Sequence, residues 1–571
     1  MNARINNPRR TAALAAIAAA AALAAPSAAS AAVTGVVSGD TATLTGDAAN
    51  DTITIGSNGV NLTHNTIAGL ESATDFDSAA GVQTLTANAT LTINGGGGDD
   101  IIVGGPNKDA IDGGDGADRI TGGPGGVQAD REQILGGAGN DVMIWNNGDG
   151  HDLNDGGDGA DEVLITNGTA DDQMKVTANA DHTLFERTNA PFTVDMVRDE
   201  KLTITSFSGN DKLETGPGVT IPMNVDSGSG DDDIATGDGA DVINGGDGVD
   251  TLNGGAGGDR ILGNPGNDVM NGNAGDDTLV WNNGDGNDQM NGEDGLDRIE
   301  DNLGAANDVS HLSVVAGKVH YARDNNPFTL DVASSEVFEL NTFGGNDTLD
   351  TTPGLGALIA VTVDAGSGDD KIVGGDEADT FFGGLGNDTL DGAAGADAVD
   401  GQDGNDTLTA RDGAADLVRG GAGTDSAKVD AVDAVDGVET LDRGKTGANA
   451  LAFGKNAKLL LKNGVYSTKV AVTCDGTALE GCKGTLALLT SGKVKIGAGR
   501  RSVQARLGSA KYDLKAGQKK TLTIKLGKGL RPLIKRNVLK VKAQAVSRDA
   551  AGNTTTRTAN LSLKLDKKAK K

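Results

Sequence analysis

A chain of 571 residues has room for several domains, yet 88 glycines and an aromatic content of 3% exclude a large conventional globular core: too few bulky side chains remain to offset the ordering entropy of so much glycine. Acidic residues outnumber basic ones 81 to 49, and unevenly, since residues 445–571 hold 29 Lys/Arg against 5 Asp/Glu and leave 20 basic and 76 acidic groups in the first 444. The acidic part repels nucleic acid and gathers cations, and composition alone would leave it disordered.

Residues 1–32 read as a secretory signal peptide. Arg4, Arg9 and Arg10 precede an apolar run at 12–25, and Ala29-Ser30-Ala31 offers a small-residue cleavage site. The run is too short to span a bilayer, and no later stretch reaches spanning length, so no transmembrane segment is expected in the mature chain. The mature protein is expected to start near Ala32 or Val33 and to be extracellular, where calcium is abundant enough to fill weak sites. Residues 33–94 read as an N-terminal β cap or partial spacer.

A nine-residue period begins at Gly95. In the block 95–144, three nonapeptides place Asp100, Asp109 and Asp118 at the sixth position and Ile102, Ile111 and Ile120 at the eighth. After an insertion, Gly136 to Asp141 resumes the pattern. A spacer at 145–226 contains alternating strand patterns such as 201–205.

The block 227–280 is six nonapeptides without a gap. Their sixth positions are Asp232, Asp241, Asp250, Asp259, Asp268 and Asp277, and every fourth position is glycine. A second spacer, 281–364, resembles the first at an offset of 136: Trp145 matches Trp281, Phe192 matches Phe328 and Phe207 matches Phe343. Both tryptophans sit just after a block, where structural capping is the expected role. The spacers are expected to continue the solenoid with longer coils or to cap it. The last block with its cap, 365–444, sets Asp370, Asp379, Asp388, Asp397 and Asp406, then slips by one residue to Asp416 and Asp425.

One repeat explains itself physically. The Gly-Gly-x-Gly segment supplies positive φ and close backbone approach, so it turns tightly with carbonyl oxygens facing inward. The sixth-position aspartate adds a carboxylate at the same spot. The next three residues form a short strand whose single apolar side chain enters a thin core. Stacked turns make an all-oxygen cage of the kind calcium prefers; zinc is disfavoured because no thiolate or imidazole lies near the repeats.

These residues resemble the repeats-in-toxin (RTX) calcium-binding proteins. The resemblance implies a parallel β-roll in which an ion bridges each repeat to the next but one. It assigns the sixth-position aspartates, with Asp141, as Ca2+ ligands, helped by carbonyls of turn glycines such as Gly96, Gly98, Gly246 and Gly248. Asn107 in place of a fourth glycine and Ala393 in place of a second depart from the pattern. RTX proteins commonly leave the cell through a C-terminal signal, whereas this chain has an N-terminal one and a Lys-rich end, which weakens any analogy with toxins or exoproteases.

From 445 to 571 the character changes. Strand-like segments at 458–462, 468–474, 520–526 and 538–546, separated by turn signals, suggest an immunoglobulin-like β-sandwich. Cys474 and Cys482, the only cysteines, are expected to form a disulfide in an exported protein, worth about 2–3 kcal/mol. The basic charge suits an anionic cell-surface polymer or polysaccharide, or docking against an acidic solenoid. Interleaved aromatics for nucleic-acid stacking are scarce.

The fold class expected is therefore all-β: parallel β-roll or β-solenoid blocks with β spacers, plus the C-terminal sandwich. His64, His151, His182, His311 and His320 are scattered and make no H-E-x-x-H pair, and no G-x-S-x-G elbow occurs. The leading expectation is an extracellular, non-enzymatic, calcium-binding structural or adhesive protein. Two alternatives stand beside it: a secreted hydrolase or lyase acting on acidic polysaccharide, and a calcium-dependent carbohydrate binder.

Overall fold

The computed structural model describes residues 33–443, apart from short stretches within 66–81, 125–130, 180–181, 356–357 and 431, together with most of the strands between 451 and 565. The signal-peptide reading of 1–32 lies outside the described residues, as do the side chains of Cys474 and Cys482. Among the described residues the fold is all-β, with no α-helix. The described residues fall into two compact units, one comprising those up to 208 with 212–225, the other 209–211 with those from 226 onward.

In the first unit, short strands alternate between two parallel ladders, as a nine-residue half-coil requires. One ladder begins with an antiparallel hairpin, Thr34–Ser38 with Thr41–Thr45, and continues in parallel through Thr90–Asn94, Ala110–Asp115, Glu132–Ala138 and Asp152–Asp158 to Phe192–Val197. The other runs through Thr52–Ser57, Ile101–Val103, Arg119–Thr121, Val142–Asn146, Glu162–Thr166 and Lys201–Thr205. Eighth-position side chains fill the space between the ladders: Ile102, Ile111 and Ile120 are all buried. In the nonapeptide turns that is a thin core, thickened where Met143, Ile144 and Trp145 or Val163 and Ile165 are buried together, so a large share of the stability must come from the ladder bonds and the turns.

The spacer is a lengthened coil, as its alternating pattern suggested. Strands Gln173–Asn179, His182–Arg187 and Phe192–Val197 form an antiparallel meander, and its last strand rejoins the parallel ladder beside Asp152–Asp158. Trp145 is buried and stacks on Phe192, with ring centroids 3.6 Å apart, while its indole N–H donates to the Gly150 carbonyl at 3.0 Å. It is a packing element.

The second unit repeats this plan. Parallel pairing links Asp233–Ala235, Thr251–Ala256, Val269–Ala274 and Asp288–Asp294 on one face, and Val242–Asn244, Arg260–Leu262, Thr278–Asn282 and Arg298–Asn302 on the other. Its spacer is again a meander, Val309–Val315, Lys318–Arg323 and Phe328–Ala333, against which Trp281 stacks on Phe328 at 3.8 Å. The last block continues to Ala434–Asp436 and Thr440–Asp442.

Beyond 451 the pairing becomes antiparallel, except that Asn456–Lys462 runs parallel to Thr554–Leu565. The strands enclose one apolar core including Val470, Leu486, Leu488, Ile524, Val541 and Leu563, as the sandwich expectation requires.

Candidate metal centre

Each sixth-position aspartate sits where the glycine turn meets the strand, and every one of them is buried. Their carboxylates are tied to the stack in one recurring way. In the first unit the Asp51 amide donates to Oδ1 of Asp100 at 2.6 Å, that of Asp100 to Asp118 at 2.7 Å, that of Asp118 to Asp141 at 2.8 Å, and that of Asp141 to Asp161 at 2.8 Å. Asp161 in turn donates to Oε2 of Glu200 at 2.8 Å. In the second unit the same bond links Asp232 to Asp250, Asp250 to Asp268 and Asp268 to Asp288, and in parallel Asp241 to Asp259, Asp259 to Asp277 and Asp277 to Asp297. In the last block it links Asp370, Asp388, Asp406 and Asp425, and alongside them Asp379, Asp397 and Asp416. Three of these ladders end on a glutamate: Glu200, Glu336 and Glu439.

The second oxygen of each carboxylate decides what the ladder can bind. Oδ2 of Asp100, Asp118, Asp141, Asp232, Asp250, Asp259, Asp268, Asp277, Asp370, Asp388, Asp397 and Asp406 is buried without a hydrogen-bond partner. A buried carboxylate oxygen left bare is costly. Ten of the twelve lie against a glycine at the first position of their own turn, the exceptions being Asp232 and Asp370 behind Ser227 and Ala365: a Cβ on Gly113 would clash at once with Oδ2 of Asp118 and with the Gly136 carbonyl oxygen of the next coil. In those glycine-first turns carboxylate and carbonyl oxygens therefore crowd into a space too tight for a Cβ.

The turn glycines adopt the conformation expected of them. Gly96, Gly98, Gly246 and Gly248 have φ of 99°, 99°, 92° and 150°. A Cβ on Gly116 or Gly266 would strike the Gly98 or Gly248 carbonyl, so those oxygens point along the stack. The Gly96 carbonyl accepts the Asp115 amide at 3.0 Å and keeps one lone pair for a further partner.

Three predicted ligands differ from the rest. Both oxygens of Asp109 accept backbone N–H groups, from Leu91 at 2.9 Å and Gly105 at 2.6 Å. Asp379 does the same with Val361 and Gly375, and Asp241 accepts from Gly237 at 3.2 Å. These carboxylates close back on their own turns. In two of the three turns the fourth glycine is replaced, by Asn107 and by Glu377. Asn107 spends its amide on the carbonyls of Ala87 and Ala89.

Asp416 and Asp425, which close the last block's series, continue its ladders, and Asp161, Asp288, Asp297 and Asp347 join as residues that the nine-residue count did not single out. Asp161, Asp288, Asp297, Asp347, Asp416 and Asp425 each carry a buried, unpartnered Oδ2. Two of them lie in nonapeptides hidden inside the spacers, GGDGADEVL at 156–164 and GEDGLDRIE at 292–300.

The stack is electrostatically unfavourable on its own. Burial, aided by neighbouring carboxylates, pushes Asp100, Asp250, Asp259, Asp370 and Asp397 up to about 7, and Asp288 to about 8. Among the described residues no three carboxylate, imidazole or thiolate side chains gather into a side-chain-only centre. The donor set is carboxylate oxygens with backbone carbonyls, which suits a hard cation that accepts six to eight oxygens.

The profile of the RTX calcium-binding nonapeptide repeat (four copies) matches residues 92–126, 226–261, 254–280, 364–399 and 391–427. Repeats of that family bind calcium ions. No curated protein matches the chain.

Proposed function

Because the chain carries RTX-type calcium-binding repeats, we propose that it is an extracellular structural or adhesive protein whose solenoid forms when calcium fills the carboxylate ladders. The row of buried, unpartnered Oδ2 atoms carries this reading. The ions would be held by the twelve predicted aspartates with a bare Oδ2 and by turn carbonyls such as those of Gly96, Gly98, Gly246 and Gly248. Calcium would supply charge neutralisation there; the chain supplies position, through Oδ1 fixed by the preceding coil's amide. Asp109, Asp241 and Asp379 contribute less, because their carboxylates are already engaged. Binding energy becomes folding energy in such a system.

The division into a signal peptide (1–32), cap (33–94), blocks (95–144, 227–280, 365–444), spacers (145–226, 281–364) and basic domain (445–571) belongs to the same proposal. The apolar N-terminal segment with its arginines and the Cys474–Cys482 pair support an extracellular location. No helix among the described residues is long and apolar enough to cross a membrane. The basic domain is the attachment element, and anionic polysaccharide is the partner its charge suits. The test is co-sedimentation of the full chain, and of the chain without 445–571, with uronic-acid polymers at rising salt. Salt-sensitive binding that requires 445–571 is expected; binding that survives its removal would move the adhesive role elsewhere.

A further inference from the structure

The two spacers repeat at an offset of 136, so each position in one has a natural control in the other. Asp268, Asp288 and Met290 of the second unit correspond to Glu132, Asp152 and Asn154 of the first. The strand pairing is equivalent: Asp288–Asp294 lies beside Val269–Ala274 with Met290 opposite Met270, and Asp152–Asp158 lies beside Glu132–Ala138 with Asn154 opposite Ile134 and Asp152 opposite Glu132. In the second unit this rung is an ordinary ladder step, with the Asp268 amide on Oδ1 of Asp288 at 2.9 Å and Met290 in the core.

In the first unit the step is different. The Glu132 amide goes to the His151 carbonyl at 3.1 Å. Both oxygens of Glu132, both of Asp152 and Oδ1 of Asn154 have no hydrogen-bond partner, although the three side chains are 0%, 1% and 1% exposed. All three project to the interior side of adjacent strands, as the alternation of buried residues along each strand shows. Gly122 leaves the room for Glu132, since a Cβ there would collide with Oε2. The charges facing Glu132 are Asp152, Asp109 and Asp149, all of its own sign. Asp152 faces Asp149 and the cation of Arg131, which is half-exposed and bonded to Asp195.

We propose that Glu132, Asp152 and Asn154 form a separate divalent-cation site, of calcium type, inside the first unit. It lies beyond the matched residues 92–126 and takes its donors from side chains, two carboxylates and an amide oxygen, where the turn cages lean on glycine carbonyls. Two coordinated sequence differences create it. Aspartate to glutamate lengthens the carboxylate, while the Glu132 amide bonds the His151 carbonyl in place of the Asp152 carboxylate, and methionine to asparagine puts a neutral oxygen into the core. Five buried oxygens with no hydrogen-bond donor, offset only by Arg131 beside Asp152, are a hard-cation donor set. Left empty, burial and the neighbouring Asp152 charge drive Glu132 up to about 10, and burial drives Asp152 to about 8, so the competing occupant is a pair of protons.

The inference rests on calcium filling the repeats, and the experiment separates the two. Bound calcium per full-length chain is measured by equilibrium dialysis, and Tm is measured in calcium and in chelator, for the parent, Glu132→Gln and Asn154→Met. The expected result for Glu132→Gln is the loss of one bound ion, a lower Tm in calcium and a higher Tm in chelator. Asn154→Met is expected to move that ion's half-saturation to higher calcium while keeping the remaining ions, which tests the site even if Glu132→Gln fails to fold. Unchanged stoichiometry in both variants, with Glu132→Gln melting at or above the parent in both media, would assign the rung to protons and overturn the site alone. A parent chain that takes up no calcium would overturn the repeat reading and this one together.

Discussion

The amide of Asp250 donates to Oδ1 of Asp268, one coil further along, at 2.8 Å, while Oδ2 of that same Asp268 carboxylate is buried with no donor. One oxygen holds the stack together and the other is left for a cation. The two duties are separable by substitution. Asp268→Asn keeps an acceptor at Oδ1 and removes the charge; it is expected to weaken calcium uptake yet leave the chelated chain no less stable. Asp268→Ala removes both and should cost about 1–3 kcal/mol in calcium, the penalty for stranding a buried amide. Urea unfolding at saturating calcium and in chelator measures the difference.

The pH dependence of the calcium-free chain has a definite sign. Asp100, Asp250, Asp259, Asp370 and Asp397 are raised to about 7 by burial, whereas an unfolded aspartate titrates near ~4. Between those values the folded chain holds protons that the unfolded chain has released, so stability falls as pH rises through the window. In chelator, the β signal in circular dichroism is expected to be strongest near about pH 4–5 and to fade toward about pH 7. Saturating calcium should remove that loss. A calcium-free chain that gains stability over the same range would contradict the burial of these carboxylates.

In several turns the second position is left-handed although it is not glycine. Ala393 has φ of 66° and Gln402 of 68°, and a side chain there carries strain that glycine does not. Ala393→Gly is expected to stabilise the chain by about 1 kcal/mol. Gly246→Ala should do the reverse by more, since its Cβ would strike the Gly228 carbonyl. Thermal melts of both variants in calcium check the pair.

The spacers offer a test of polar burial. Asp301, Ser310 and Tyr321 of the second stand where Ile165, Met174 and Phe185 stand in the first, and all three are buried. The Tyr321 and Ser310 hydroxyls lie 2.8 Å apart. Burial holds Asp301 well above the usual carboxylate range, against the pull of Arg323. Replacing all three with the apolar trio is expected to be neutral or stabilising by about 1–4 kcal/mol. Tyr321→Phe alone should cost about 1–3 kcal/mol by stranding its partners. A double-mutant cycle on Tyr321 and Ser310 measures the coupling.

The period of nine made the solenoid legible, because Ile102, Ile111 and Ile120 recur in step with Asp100, Asp109 and Asp118 and only a stacked coil uses that step. The resemblance to RTX repeats supplied the ion and its bridging of alternate repeats. Spacing could not reveal which carboxylates remain bare. Asp109 and Asp100 occupy the same place in their repeats, and only the backbone around Asn107 shows that Asp109 folds back onto Leu91 and Gly105. Asp161 and Asp297 were within reach, since their turns match the pattern, but insertions separate them from the preceding blocks and break the count. The Glu132 rung was out of reach, because strand pairing brings Asp152 beside it across a connection of irregular length.

Calcium titration of the full chain, followed by far-ultraviolet circular dichroism at neutral pH, tests the central claim most directly. The account predicts little β signal in chelator and a cooperative rise as calcium is added, with bound calcium rising in step. A chain already fully folded in excess chelator, with no further change on adding calcium, would contradict it.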